Sequence, residues 1–341
     1  MRSLVVALAV AGSLALPAFA AAPSGLIVFS RLVGDDRELY SIRPDGTGLT
    51  RLTDDAEDEG EPVLSPDRRL IASAGDEELF LRSTAGGQLV RRIEVPVEGP
   101  ISELRWAPTG DWIAFLVERC RDHDEEDADG AAALRTCADL WVARPDGTAL
   151  RRLVSTNVST NDLIAAYAWS PNGRSLVFER LQQPALVVVD VASRSARVLA
   201  GTTRLDASDP SWARNGRIVF ARQRGRFQGY DLYTVRADGR GLRRLARARS
   251  AARPTWSRDG RRVAFLDYRA AGGNRWAVSV VGANGRGRRQ IGIATSDAAL
   301  QWSPDGTRLL WQSRPNRIVV GRADGRGSPR VLTTGGVPDW R

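Results

Sequence analysis

One motif recurs along the chain and constrains its fold more than any other feature: a tryptophan, a Pro/Asp/Gly-rich turn, then a short β-branched and aromatic run. It reads LRWAPTGDWIAFLV from Leu104, YAWSPNGRSLVFER from Tyr167, PSWARNGRIVFAR from Pro210, PTWSRDGRRVAFLD from Pro254 and LQWSPDGTRLLWQ from Leu300. PVLSPDRRLIASAG from Pro62 carries Leu64 in place of the tryptophan, and VPDWR from Val337 is a truncated copy. The equivalent positions are Leu64, Trp106, Trp169, Trp212, Trp256, Trp302 and Trp340, at intervals of 42, 63, 43, 44, 46 and 38 residues. A period of about 40–45 residues matches one four-stranded propeller blade. The single long interval holds an insertion.

A second repeat fills out each unit. ELYSIRPDGTGLTRLT from Glu38, DLWVARPDGTALRRLV from Asp139, DLYTVRADGRGLRRLA from Asp231 and RIVVGRADGRGSPRVL from Arg317 each alternate, turn on Asp-Gly and alternate again. That is a hairpin signature. The sequence therefore predicts an all-β, seven-bladed β-propeller of four-stranded antiparallel blades, since one blade cannot bury its apolar faces alone. GLIVFSR near the N-terminus reads as the second strand of a blade and Trp340 as the end of an inner strand. The ring is thus expected to close by pairing the N-terminal strands with the C-terminal strand, which hides edges open to aggregation.

The W-S-P-D-G turn followed by an apolar strand, with R-P-D-G later in the unit, resembles the WD40-like repeat of TolB-type propellers. The likeness covers nearly the whole chain after residue 20. It departs from TolB in its count of seven blades rather than six and in having no counterpart of the smaller α/β domain. The resemblance implies a protein-binding role in the cell envelope. The same repeat occurs in propellers of prolyl-oligopeptidase-type peptidases and other enzymes, so it specifies fold better than task.

Residues 1–20 read as an export signal: Arg2, an apolar run from Leu4 to Phe19, and the Ala18-Phe19-Ala20 cleavage pattern. The expectation is a propeller domain over 21–341, secreted to the periplasm or beyond, monomeric, with no membrane span. Cys120 and Cys137, the two cysteines, are expected to pair in that oxidising setting. They flank an insertion at 119–138 that carries Asp122, Asp124, Glu125, Glu126, Asp127 and Asp129. The run E-x-D-x-D-G partly matches a calcium loop, but Thr136 stands where the bidentate glutamate belongs. A solvated acidic loop, a partner epitope and a calcium site are the alternatives there; no other cofactor is expected.

Charge is lopsided. Ala21 to Leu140 holds 13 basic and 26 acidic residues (13 − 26 = −13), whereas Trp141 to Arg341 holds 35 and 14 (35 − 14 = +21). Such a field steers an acidic partner to the second half. All basic side chains are arginine, and pairs fall on outer strands at Arg91-Arg92, Arg151-Arg152, Arg243-Arg244 and Arg288-Arg289. They read as protection of exposed edges or as a rim for an acidic wall polymer. Nucleic acid is not expected.

Three residues before the tryptophan position stand Glu61, Glu103, Asp209 and Arg253. On separate blades they predict a polar funnel where loops lead into the inner strands, and this is the preferred partner site. The tryptophans read as inter-blade packing, and the Pro-Asp-Gly aspartates as turn formers. His123 is the only histidine and no G-x-S-x-G elbow is present. The expectation is a binding module rather than an enzyme, a carboxylate-based glycan-active enzyme being the alternative.

Overall fold

The computed structural model describes residues 25–118, 138–156, 164–180, 184–225, 228–269, 275–295, 298–314 and 316–341. The expected signal peptide, both cysteines and the acidic cluster of the insertion lie outside these residues. The described residues form seven four-stranded antiparallel sheets arranged as a propeller.

Blade 1 combines β1 (Ile27–Val33), β2 (Asp36–Ile42) and β3 (Thr50–Arg51) with the last strand of the chain. Blade 2 holds β4 (Gly60–Leu64), β5 (Leu70–Ala74), β6 (Glu78–Ser83) and β7 (Leu89–Glu94); blade 3 holds β8 (Ile101–Trp106), β9 (Ile113–Glu118), β10 (Ala138–Ala143) and β11 (Arg151–Val154). In blade 4 lie β12 (Tyr167–Trp169), β13 (Ser175–Arg180), β14 (Ala185–Asp190) and β15 (Ala196–Val198). Blade 5 follows with β16 (Ala207–Trp212), β17 (Arg217–Gln223), β18 (Tyr230–Arg236) and β19 (Arg243–Ala246). Blade 6 consists of β20 (Ala251–Trp256), β21 (Arg262–Arg269), β22 (Arg275–Gly282) and β23 (Arg289–Ala294). β24 (Gln301–Trp302), β25 (Arg308–Ser313), β26 (Arg317–Arg322) and β27 (Arg330–Thr334) make blade 7, and β28 (Asp339–Trp340) closes blade 1. Closure is by antiparallel pairing of Ile27 with Trp340 and of Val28 with Asp339.

Burial explains the strand sequences. β10 buries all six of its residues and β9 five of six, because middle strands are covered by a neighbouring blade on both faces. The alternation expected of the hairpins is therefore lost in these middle strands, while an outer strand such as β7 is mostly exposed. Between successive blades lie seven apolar clusters, one per interface around the ring. Each of three motif tryptophans spans such a seam with its indole N–H. Trp106 donates to the Val63 carbonyl at 3.0 Å, Trp169 to Arg105 at 3.0 Å and Trp302 to Thr255 at 3.2 Å. A buried indole needs a partner for its N–H, and the preceding inner strand supplies it.

The turn aspartates act within their turns. Asp305 accepts the Thr307 N–H at 2.9 Å and the Ser303 hydroxyl at 2.5 Å, and Asp45 and Asp146 accept their own threonines' N–H and hydroxyl groups. This pattern is the Asx-turn chemistry expected of P-D-G. The insertion leaves the second strand of blade 3 and returns on the third, where Glu118 pairs with Ala138.

Candidate functional site: the central channel and its mouth

Glu61, Glu103, Asp209 and Arg253 belong to strands, not to the loops the sequence suggested. They lie in β4, β8, β16 and β20, each at a break in register: between Gly60 and Val63, Ser102 and Arg105, Ser208 and Ser211, and Ala252 and Thr255. All four have positive φ, 47°, 54°, 52° and 48° respectively. A β-bulge re-aims the backbone and leaves an N–H outside the ladder. At three of these positions the stray N–H is taken by a carboxylate of the preceding blade. Glu61 accepts from Glu103 at 2.7 Å, Glu179 from Asp209 at 2.7 Å, and Asp209 from Arg253 at 3.0 Å. Asp339 of the closing strand accepts the Leu64 N–H at 2.8 Å. The bulge was legible in a signal the sequence reading did not use: Pro62, Pro210 and Pro254, which follow three of the four residues and have no N–H to pair.

These groups converge electrostatically across the ring. Arg105 pairs with Glu103 at 2.7 Å and lies 5.4 Å over the Tyr167 ring, while the Tyr167 hydroxyl donates to the Glu103 carbonyl. Burial would raise the Glu103 carboxyl, but Arg105 and, from blade 6, Arg253 outweigh it and hold the group below its ordinary range. Burial and then the Glu103 charge raise Glu61. Glu179 is pushed up to about 8, first by burial and then by Asp209, despite the Asp209 N–H it accepts. Glu61, Glu179 and Asp209 thus each accept a backbone N–H of the next blade, and Glu103 is paired with Arg105.

The accessible concavity is elsewhere. Where the inner strands end, about 10 Å further along at the usual rise per residue, a cavity of ≈ 450 Å³ opens at the channel mouth. All seven blades line it, through Pro66 and Arg68, Pro108, Trp169 and Pro171, Trp212 and Arg214, Trp256 and Arg258, Trp302 and Pro304, and Trp340 and Arg341. Its lining offers guanidinium, indole, hydroxyl and proline groups and contains no carboxylate or imidazole side chain. Sequence reasoning missed Arg68, Arg214 and Arg258. For Arg214 and Arg258 the available signal was arginine at a repeat position held by proline in Pro66, Pro108, Pro171 and Pro304; Arg68, with φ 62°, stands where the other turns carry glycine.

The outer-strand arginine pairs have other duties. Arg151 donates to Val191 O at 2.6 Å, Arg243 to Ala283 O at 2.9 Å and Arg289 to Asp324 O at 2.6 Å, each reaching the next blade. Their counterparts meet carboxylates within their own blades: Arg92 pairs with Glu78 at 2.9 Å, Arg152 with Asp139 at 3.1 Å, and Arg288 with Asp267. The rim thus clasps the blades together. Among the described residues, no group of three or more His, Cys, Asp or Glu side chains is placed to hold a metal ion, and no helix is long and apolar enough to cross a membrane.

No family model matches the sequence, and no curated protein matches it. Among solved structures the chain is similar to TolB from Acinetobacter baumannii, at 16% identity over 92% of this chain and 82% of that one, with a TM-score of 0.56. What the two share is the β-propeller fold. The chain is also similar to an oligogalacturonate lyase in complex with manganese: 13% identity, 90% and 84% coverage, TM-score 0.67. A puromycin hydrolase aligns at 20% identity over 86% of this chain but 48% of its own, with a TM-score of 0.58. At such identities the likeness of this chain to any of them is one of fold.

Proposed function

We propose that this exported propeller is a binding module that docks another protein of the cell envelope at the channel mouth. The observation that carries the reading is the composition of the ≈ 450 Å³ cavity, built from all seven blades and lined by donors and apolar surface without a carboxylate or imidazole side chain. Such a lining suits recognition; proton transfer calls for groups that titrate near the working pH. Solved relatives of the same fold include both TolB and enzymes, so the fold does not choose between them. The lining favours binding.

The test uses the mature chain as bait in envelope extract, beside a variant with Pro171→Asp and Pro304→Asp at the cavity lip. A defined protein retained by the wild type at high salt and lost with the variant is the expected result. Retention indifferent to the lip substitutions, or retention of glycan alone and only at low salt, would overturn the proposal.

A further inference from the structure

We propose, resting on the binding reading above, that the ligand of the channel mouth is an acidic polypeptide segment, and that Arg214 and Arg258 clamp one of its carboxylates. Both residues occupy the repeat position that is proline in four other blades. Their turns close without help from either guanidinium: Gly216 N–H donates to Ala213 O at 3.0 Å and Gly260 N–H to Ser257 O at 2.8 Å. Turn formation therefore does not account for arginine here.

The two turns sit on adjacent blades and are tied together, since Asn215 Nδ2 donates to the Gly260 carbonyl at 3.3 Å. Gly260 has φ +67°, and a Cβ there would come within 3.0 Å of Asn215 Nδ2, so the tie depends on glycine. The pair is thus presented on a fixed base. Arg214 and Arg258 are exposed, and their side chains make no ion pair or hydrogen bond among the described residues, unlike the clasping arginines of the rim. Arg68 adds positive charge to the same lining, whereas Arg341 pairs with Asp339 at 3.7 Å. The neighbouring Asp259 is occupied by the Ser257 hydroxyl at 2.6 Å and the Arg261 N–H at 3.0 Å.

A guanidinium presents a planar fork that matches a carboxylate. Two such forks on neighbouring turns suit a side-chain carboxylate held between them. A polypeptide is favoured over an acidic glycan by the state of the indoles: of the five in the lining, Trp169, Trp256, Trp302 and Trp340 are 5–8% exposed and Trp212 alone is partly exposed, so successive sugars find no stacking platform. The prolines around the lip instead supply small apolar walls for aliphatic side chains.

Hexaglutamate titrated into the full mature chain, followed by tryptophan fluorescence and calorimetry, tests the assignment. Saturable binding that weakens with salt is expected. The Arg214→Glu/Arg258→Glu variant should lose about tenfold or more in affinity, the scale of a charge-assisted contact, with an unchanged melting temperature. Arg214→Gln/Arg258→Gln replaces it where charge reversal disturbs the turns, and Arg286→Glu on an outer turn should bind as the wild type does. Equal binding by wild type and clamp variants overturns the proposal, as does tighter binding of trigalacturonate than of hexaglutamate. If a captured protein depends on the lip prolines yet hexaglutamate does not compete with it, the charge assignment fails and the binding reading stands. If hexaglutamate binds through the arginines while capture ignores the lip, the binding reading fails alone.

Discussion

The carboxylate of Asp209 accepts the backbone N–H of Arg253 at 3.0 Å, across the seam between blades 5 and 6. A side chain on one inner strand thereby completes the backbone of the next, at a residue held in left-handed conformation with φ 48°. Removing the acceptor should strand a buried N–H. Asp209→Ala is expected to cost about 1–3 kcal/mol, and Asp209→Asn, which keeps an acceptor oxygen, clearly less. Urea denaturation of the two variants checks the difference.

Glu179 makes folding sensitive to pH. Burial, then the Asp209 charge, raise its carboxyl from the ordinary 4.5 to about 8. The folded chain therefore holds this proton more tightly than the unfolded chain does. Its contribution to stability is full below about 4.5, declines as pH rises, and levels off above about 8. Glu179→Gln should remove that decline while preserving the oxygen that receives the Asp209 N–H. Melting temperatures taken across this range should show a flatter profile for the variant.

Trp106 separates packing from hydrogen bonding at a blade seam. It is 3% exposed and donates its indole N–H to Val63 O. Trp106→Phe is expected to lose about 1 kcal/mol with the hydrogen bond, in addition to a modest packing loss. Trp106→Ala should lose about 3–5 kcal/mol through the cavity it leaves. Chemical denaturation of both variants gives the two quantities.

Arg82 and Glu59 form a buried pair in blade 2, with Nε to Oε1 at 2.5 Å and side chains 4% and 0% exposed; Ser73 donates a further hydroxyl to Glu59. Arg82→Ala leaves a buried carboxylate uncompensated and should cost about 3–5 kcal/mol. Arg82→Met combined with Glu59→Leu should recover much of that loss. The double-mutant cycle, read by equilibrium unfolding, would refute the pairing if the two substitutions were additive.

The repeat period made the seven blades, their four strands and the ring closure legible, because each blade carries a turn and a large indole or leucine at a fixed place. The channel was less legible for a physical reason. Glu61, Glu103, Asp209 and Arg253 were readable as one ring of positions, but their use as acceptors or bulged donors depends on the neighbouring blade, which lies 42 to 44 residues away for the pairs Glu61–Glu103 and Asp209–Arg253. Glu179 escaped notice because it comes from a second strand rather than the inner one. Arg214 and Arg258 were hidden by the opposite effect: in a chain whose every basic residue is arginine, two more draw attention only once the fold places them in one cavity lining.

The pairing of β1 with β28 sets the order in which this molecule can be finished. Ile27 meets Trp340, so nearly the whole chain must be delivered before the circle shuts, and closing so large a loop is an entropic burden borne late. Until then blade 1 lacks its inner strand, and the apolar surface shared by Phe29, Leu310 and Trp340 has no complete cover. A chain with this topology cannot lock early: β28 is at once the inner strand of blade 1 and the latch of the whole circle, so the other six blades can be laid down before the seventh seam is sealed.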